Sequence, residues 1–247
     1  MRVDILASGS GGNCIAIRSN ETTILVDVGI AKTKIEKKLL EVGIRPNHIA
    51  AIFITHAHSD HIKGLPLANK YKIPVYAAVQ EWKSINGVDE DLQGIKRPGK
   101  FMDINGFLVG AFRTHHDAYE PLGYTVQTEE GKKVSICLDT GQVDTEILAA
   151  MRDSDIYIIE ANHEPKMVQA SDYPTSVKTR ILSHIGHLSN QQTAEALTTL
   201  IQGRKEKIYL THLSSKNNMS TLAEMTVMRA LMKKGLRKDK DFEIEVV

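Results

Sequence analysis

The chain has 247 residues, and 31 Lys and Arg against 30 Asp and Glu give it a formal net charge of +1. With 42% apolar and 25% charged residues, its composition is typical of a globular protein and excludes a disordered chain. The balanced charge excludes a basic footprint over the whole surface but leaves room for a local basic patch.

No apolar run reaches the roughly 18 residues of a membrane span, and Asp4 interrupts the N-terminal apolar run, which argues against a signal peptide. The only two cysteines, Cys14 and Cys137, each lie within an apolar segment. We therefore expect a cytoplasmic protein in which both thiols are buried and reduced.

In chain order, the first elements are short runs rich in Val and Ile. A helix with apolar residues at helical spacing follows from Ile35 to Val42, and Gly43 ends it. A second helix is predicted at Leu65–Tyr71. The predicted strands of this part, with turns at Ser8–Asn13 and Ser19–Asn20–Glu21, are Val3–Ala7, Cys14–Arg18, Thr22–Val28, Ala50–Thr55 and Pro74–Ala78.

The middle of the chain indicates antiparallel strands, with a hairpin turn at Glu129–Glu130–Gly131. Strands and helices then alternate to the end, and no linker or low-complexity stretch marks a boundary. We expect one domain, residues 1–247, with two mixed β-sheets flanked by helices. Its remaining predicted strands are Phe107–Thr114, Gly123–Thr128, Lys132–Leu138, Asp155–Glu160, Lys207–Thr211 and Phe242–Val247, and its helices are Val143–Met151, Ser189–Ile201 and Thr221–Lys234.

The strongest chemical signal is the run His56-Ala57-His58-Ser59-Asp60-His61, which directly follows a buried-type strand. Period-2 alternation would send His56 and His58 to the same side, and a turn into a helix would bring Asp60 and His61 around. Imidazole and carboxylate ligands suit Zn²⁺ and accept Mn²⁺ or Fe, whereas a closed structural zinc site would use thiolates.

This H-x-H-x-D-H run resembles the metal motif of the metallo-β-lactamase superfamily. Further stretches resemble its YycJ/WalJ-like branch of small bacterial hydrolases, and the resemblance covers nearly the whole chain. Those stretches are SGSGGN, HDAYEPLGY, LDTG, EANHEPKM, ILSHIGHLSN and YLTHLSSKNNM.

The resemblance implies a four-layer αββα sandwich with two divalent transition-metal ions, Zn²⁺ or Mn²⁺. The first metal would bind His56, His58 and His116, the second would bind Asp60, His61 and His212, and Asp139 would bridge both. Asp60 is also a candidate catalytic residue. Asp139 and His212 each end an apolar strand, where a sheet delivers side chains to one edge. Two metals about 3.5–4 Å apart can share a hydroxide, lower its pKa and aim it at a phosphoryl centre.

Three other positions leave alternatives open. His115 and His116 compete for one ligand position, and the resemblance selects the histidine directly before Asp117. Asp27 either orients a ligating imidazole or caps the next helix.

Residues outside the metal motifs are candidates for the substrate. Ser10 and Asn13 of the glycine-rich turn, and Asn162 and His163 of EANHEP, would contact substrate. His187 would bind phosphate or act as a general acid on the leaving oxygen. A purely structural role is the alternative for each.

The resemblance therefore favours a metal-dependent phosphodiesterase, with a DNA exonuclease as first choice. The main alternative is a phosphodiesterase for small or cyclic nucleotides, which fits the near-neutral charge. The chain between Asp139 and His212 is too short for the inserted domain of β-CASP nucleases, and the long arm of ribonuclease Z is not evident. A glyoxalase-II-like thioesterase and a non-catalytic regulatory protein are weaker alternatives.

Overall fold

The computed structural model describes residues 1–20 and 22–247, and these fall into two units. The first unit comprises Met1–Ala111 and Ala118–Lys132, and the second comprises Phe112–Asp117 and Lys133–Val247. Within the described residues, the strands form two mixed sheets, as predicted. Glu21, in the predicted turn after the second strand, lies outside the described residues.

The first unit contains a six-stranded sheet in which the strands follow chain order from β1 to β6. The first three strands are antiparallel, and β3 to β6 are parallel to one another. The strands of this unit are β1 (Arg2–Ala7), β2 (Cys14–Ser19), β3 (Thr22–Val26), β4 (Ile49–Phe53), β5 (Val75–Ala77), β6 (Gln93–Ile95), β7 (Met102–Ile104), β8 (Phe107–Arg113, whose last two residues belong to the second unit) and β9 (Leu122–Thr128).

Helices α1 (Lys32–Glu41), α2 (Ser59–Ile62) and α3 (Pro66–Tyr71) belong to the same unit. Ile35 and Leu39 of α1 lie one helical turn apart and are both fully buried in the apolar core that covers the six-stranded sheet. Residues of α1 and α3 share one apolar core with residues of β2 to β5.

The second unit is built on four parallel strands, β10 (Lys133–Cys137), β11 (Ile156–Glu160), β12 (Glu206–Thr211) and β13 (Phe242–Val246), paired in that order. Its apolar core includes residues of α4, α7 and α8 with residues of these strands. Its helices are α4 (Thr145–Met151), α5 (Pro165–Ala170), α6 (Thr175–Ile181), α7 (Asn190–Leu200) and α8 (Ser220–Lys233).

Local capping explains where two of these helices begin. The Asp144 carboxylate accepts the backbone N–H of Ile147 at 2.8 Å and starts α4. Ser189 and Gln192 form a reciprocal capping box at the start of α7. Each such cap is typically worth about 1 kcal/mol, so the sequence fixes these helix starts locally.

Most predicted elements are confirmed to within two residues. The predicted strand Thr22–Val28 ends earlier, at Val26, because Asp27 adopts a left-handed backbone conformation with φ 58°. The three-residue strands β6 and β7 and the short helices α5 and α6 were not predicted, since elements of this length show little periodicity.

Other sequence predictions have mixed outcomes. Cys14 and Cys137 are buried and free, as expected, and burial raises the pKa of both thiols. None of the helices in the described residues has the length and apolar character needed to cross a membrane. The single-domain organisation and the cytoplasmic location stay predictions.

Candidate metal centre

In the first unit, His56 and His58 turn their ring nitrogens toward each other. His56 is 1% exposed, and its Nε2 lies 2.9 Å from Nδ1 of His58. The Thr55 hydroxyl lies 2.9 Å from Oδ2 of Asp27 and 3.1 Å from Nδ1 of His56. A hydroxyl that gives its one proton to a carboxylate can only accept from the imidazole, so Nδ1 of His56 carries the proton and Nε2 is left as a ligand atom.

His61 is oriented in the same way by Asp27. Both side chains are fully buried, and Nδ1 of His61 donates to Oδ2 of Asp27 at 2.7 Å. The other oxygen of Asp27 accepts the backbone N–H of Thr55 at 2.8 Å. Asp27 therefore holds both the ring of His61 and the start of the histidine run, whereas helix α1 has Ala31 as its N-cap. The structure supports the orienting role for Asp27 over the capping role.

Two predicted residues approach Nε2 of His61. Oδ2 of Asp60 lies 3.6 Å from it, and Nδ2 of Asn13 lies 3.2 Å from it. Asp60 is partly exposed, whereas Asn13 is buried and its Oδ1 also accepts the backbone N–H of Gly9. Ser10, in the same turn, is exposed. The turn thus reaches a candidate ligand through Asn13, and substrate contact by Ser10 and Asn13 stays a prediction.

Backbone contacts explain why position 29 is a glycine. The carbonyl of Asp60 accepts the N–H of Asn13 at 2.8 Å, and the carbonyl of Asn13 accepts the N–H of Gly29 at 2.7 Å. A Cβ at Gly29 would lie 1.6 Å from the carbonyl oxygen of Asp60. Only glycine therefore allows these three segments to pack so closely.

In the second unit, Asp139 and His212 follow strands β10 and β12, as predicted. Nδ1 of His212 lies 2.5 Å from Oδ1 of Asp139, and both side chains are buried. Both residues have positive φ, 46° for Asp139 and 55° for His212. Non-glycine residues in this conformation are uncommon and concentrate at functional sites.

Glu160, the last residue of β11, joins this group, and the sequence analysis missed it. Its fully buried carboxylate accepts from Nδ1 of His187 at 3.0 Å and from the backbone N–H of Thr140 at 2.6 Å. Asp139, Glu160, His187 and His212 place one ligand atom each within 4.8 Å of one another, a cluster of the kind that binds divalent metals. Glu160 ends a strand just as Asp139 and His212 follow one, and that shared position was the signal that could have found it.

Burial and charge act in opposite directions on the Glu160–His187 pair. Burial alone would lower the pKa of His187, but the carboxylates of Glu160 and Asp139 outweigh it, so this pKa is raised. Burial alone would raise the pKa of Glu160, but His187 and His212 outweigh it, so this pKa is lowered. The two shifts therefore favour an ionised Glu160 carboxylate that accepts a hydrogen bond from a protonated His187.

The two adjacent histidines of the HDAYEP stretch have different surroundings. His116 is buried, its Nδ1 donates to the carbonyl of Gly186 at 3.0 Å, and burial lowers its pKa, so a neutral ring presents Nε2. Nε2 lies 3.7 Å from Oδ2 of Asp139. His115 instead donates from Nε2 to the partly exposed Asp144 at 2.7 Å. This geometry favours His116 as the ligand.

The remaining candidates, Asn162 and His163, lie after β11. The amide of Asn162 donates to the carbonyl of His212 at 2.8 Å, so it supports a predicted ligand. His163 is 1% exposed, and burial lowers its pKa to about 4. Among the described residues, its Nδ1 has no hydrogen-bond partner. Substrate binding by this pair stays a prediction.

Comparison with known proteins identifies the fold. Residues 22–213 match the family model described as "Beta-lactamase superfamily domain". The metallo-β-lactamase fold protein YhfI from Bacillus subtilis superposes with a TM-score of 0.73 over 99% of this chain and 95% of its own, at 15% identity. Zn²⁺-bound PqqB from Methylobacterium extorquens superposes with a TM-score of 0.71 over 100% and 98%, at 16% identity. The predicted metallo-β-lactamase fold is confirmed.

Two bacterial relatives match almost from end to end. Exodeoxyribonuclease YycJ of Bacillus anthracis is 35% identical over 99% of this chain and 94% of its own length. Exodeoxyribonuclease WalJ of Streptococcus pneumoniae serotype 2 (strain D39 / NCTC 7466) is 36% identical over 98% and 93%. The chain therefore belongs to the β-lactamase superfamily and, within it, to the family of the exodeoxyribonucleases YycJ and WalJ.

Proposed function

We propose that this protein is a metal-dependent exonuclease that hydrolyses phosphodiester bonds in DNA. The observation that carries the proposal is the near-full-length identity of 35–36% to two proteins named exodeoxyribonucleases. The buried histidine and carboxylate donors described for each unit support it, because a hydrolase of this kind needs such donors to bind its metals.

We propose two divalent ions, Zn²⁺ or Mn²⁺, with the ligand assignment that the resemblance implies. One ion would bind three imidazoles, the other would bind Asp60 with two imidazoles, and Asp139 would bridge them. The full set is His56, His58 and His116 for the first ion, and Asp60, His61 and His212 for the second.

The donor chemistry of this chain fits such ions. The candidate ligands are imidazoles and carboxylates, which suit Zn²⁺ and Mn²⁺. The Nδ1 atoms of His61 and His116 are held by Asp27 and by the Gly186 carbonyl, which leaves the Nε2 atoms for a metal. When bound, two such ions supply Lewis-acid activation of water and of the phosphoryl oxygens.

The residues beside the ligands have their own tasks. The carboxylate of Glu160 fixes the ring of His187 through Nδ1, so Nε2 of His187 is the atom left to meet substrate. From there it donates a proton to the leaving oxygen or a hydrogen bond to a phosphate oxygen. Asp27 and Asn162 hold the ring of His61 and the backbone of His212 in place.

Substrate preference tests the proposed function directly. The metal-loaded protein should release nucleotides from end-labelled DNA, and removal of metal by a chelator should abolish the release. Turnover is compared at equal substrate concentration for single-stranded DNA, duplex DNA, RNA, cyclic nucleotides and a glutathione thioester. Preferential turnover of cyclic nucleotides or of the thioester would overturn the proposal, and so would the absence of any metal-dependent turnover.

The role of His187 is tested with two leaving groups. His187→Ala should keep its metal content yet lose about 10²–10⁴-fold in turnover of oligonucleotides if the imidazole protonates the leaving oxygen. The loss should shrink on bis(p-nitrophenyl) phosphate, because p-nitrophenolate leaves without protonation. A phosphate-binding role predicts equal losses on both substrates. His184→Ala, an exposed histidine of the same loop, is the matched control, and a loss shared by both variants would contradict either role.

A further inference from the structure

A buried carboxylate outside the candidate ligands connects two loops of the first unit. Glu81 is 1% exposed and begins a short 3-10 turn, Glu81–Lys83. Its Oε2 accepts the backbone N–H of Ala57 at 2.7 Å, and its Oε1 accepts the backbone N–H of Glu120 at 2.6 Å. Desolvating a carboxylate is costly unless its oxygens are bonded, and here each oxygen has a backbone donor.

The two loops held by Glu81 differ in content. Ala57 lies between His56 and His58, so one loop carries candidate metal ligands. Glu120 lies in the HDAYEP stretch, and its own Oε2 accepts the backbone N–H of Gln80 at 3.3 Å. Two contacts therefore hold the backbone next to Tyr119 against the segment that contains Glu81.

Tyr119 exposes its ring at this fixed place. The residue is 65% exposed and follows His116 by three positions in the sequence. Nζ of Lys83 lies 5.8 Å from the centroid of its ring. The ring is therefore accessible, with a cation over one of its faces, on a backbone tied to the loop of the candidate ligands.

We propose that Tyr119 and Lys83 form a subsite for single-stranded DNA, in which the ring of Tyr119 stacks on a nucleobase and Lys83 pairs with a neighbouring phosphate. The inference rests on the proposed function and specifies how the strand is held. Every base has a π-face, so stacking tolerates any sequence, as an exonuclease that moves along a strand requires. A duplex offers no such contact, because its bases are already stacked on one another.

Binding measured separately from cleavage tests the subsite. Fluorescence anisotropy measures how tightly the metal-loaded protein binds a labelled single-stranded oligonucleotide whose phosphorothioate linkages resist hydrolysis. Tyr119→Ala should weaken binding by about 5- to 150-fold, the effect typical of losing one base stack, and Tyr119→Trp should retain it. Phe101→Ala is the matched control, because Phe101 is 66% exposed and should leave binding unchanged.

An abasic series locates the stacked base. One base at a time is removed from the three nucleotides at either end of the strand. At one position the wild type should lose about the same factor as Tyr119→Ala loses on the intact strand, and Tyr119→Ala should be insensitive to that removal. In a salt titration, Lys83→Gln should lower the slope of log Kd against log salt by about 0.7, the value for one phosphate on a single strand.

The outcomes separate this inference from the proposed function. Unchanged binding by Tyr119→Ala, an equal loss in Phe101→Ala, or equal sensitivity of wild type and Tyr119→Ala at every abasic position would overturn the subsite, even if the wild type degrades DNA. A wild type that binds the strand through Tyr119 but cleaves no DNA would overturn the proposed function and leave the subsite standing. A wild type that binds no single strand would overturn the subsite.

Discussion

Replacing Asp27 with Asn should weaken both the fold and the metal affinity, and the structure allows the size of each effect to be worked out. Asp27 is fully buried, and its oxygens accept the backbone N–H of Thr55, the hydroxyl of Thr55 and Nδ1–H of His61, at 2.8, 2.9 and 2.7 Å. Asparagine matches the shape and tolerates the positive φ of 58° at this position. The substitution therefore tests the charge and the second acceptor oxygen.

The amide keeps one acceptor but places an N–H₂ group against donors. Hydrogen bonds to a charged group contribute about 1.5–3 kcal/mol each, and breaking one partner of a buried pair typically costs about 3–5 kcal/mol. We expect a loss of about 3 kcal/mol in the free energy of unfolding of the metal-free protein. Since the ring of His61 also loses its orienting carboxylate, metal affinity should fall about 10–100-fold.

Urea unfolding of the metal-free protein measures the first effect, and competition with a chromophoric chelator measures the second. Asp89→Asn is the control in the same unit, because Asp89 forms an exposed ion pair with Lys72 at 2.9 Å and should contribute about 1 kcal/mol or less. Wild-type stability and wild-type metal affinity in Asp27→Asn would refute the orienting role of this carboxylate.

Three further predictions concern single histidines and Asp139. His116→Ala should lower activity by more than about 100-fold together with metal content, whereas His115→Ala, which breaks only the partly exposed pair with Asp144, should change both little. Metal analysis and nuclease assays check this, and the reverse order would reassign the ligand. Asp139→Ala should abolish hydrolysis and reduce metal content toward one ion or none, so near-wild-type activity with two ions would reject the bridge. Because the folded state holds the pKa of His163 at about 4, against about 6.5 when unfolded, the unfolded state binds more protons between these values. The wild type should therefore lose at most about 3 kcal/mol of stability as pH falls from 6.5 to 4. His163→Leu should lack this loss in urea unfolding at stepped pH, and parallel curves for both proteins would show that the imidazole is not held neutral.

Much of this protein follows from local sequence patterns. Alternation of apolar residues located most strands and long helices, because periodicity depends only on near neighbours. The imidazole and carboxylate side chains within His56–His61 identified a metal motif, because they too are close neighbours in the sequence. Strand ends at Asp139 and His212 were also predictable, since an apolar run that stops at a polar residue marks the edge of a sheet.

The choice between adjacent residues of the same chemical type required the tertiary structure. The spacing of His115 and His116 is compatible with either as a ligand, and the resemblance alone selected His116. In the folded chain, His116 is buried against the carbonyl of Gly186, 70 residues away, while His115 pairs with Asp144 at the surface. Which histidine has its ring oriented for a metal is therefore a property of packing.

Only the tertiary structure determines which residues the orienting carboxylates contact. Asp27 reaches His61 across 34 residues, Glu160 reaches His187 across 27, and Glu81 reaches Ala57 across 24. Nothing local distinguishes Glu81 from the other acidic residues of the chain, and the strand end that marks Glu160 does not reveal its partner His187. Each acquires its role because folding removes it from water, and a buried carboxylate persists only where distant parts of the chain supply hydrogen-bond donors.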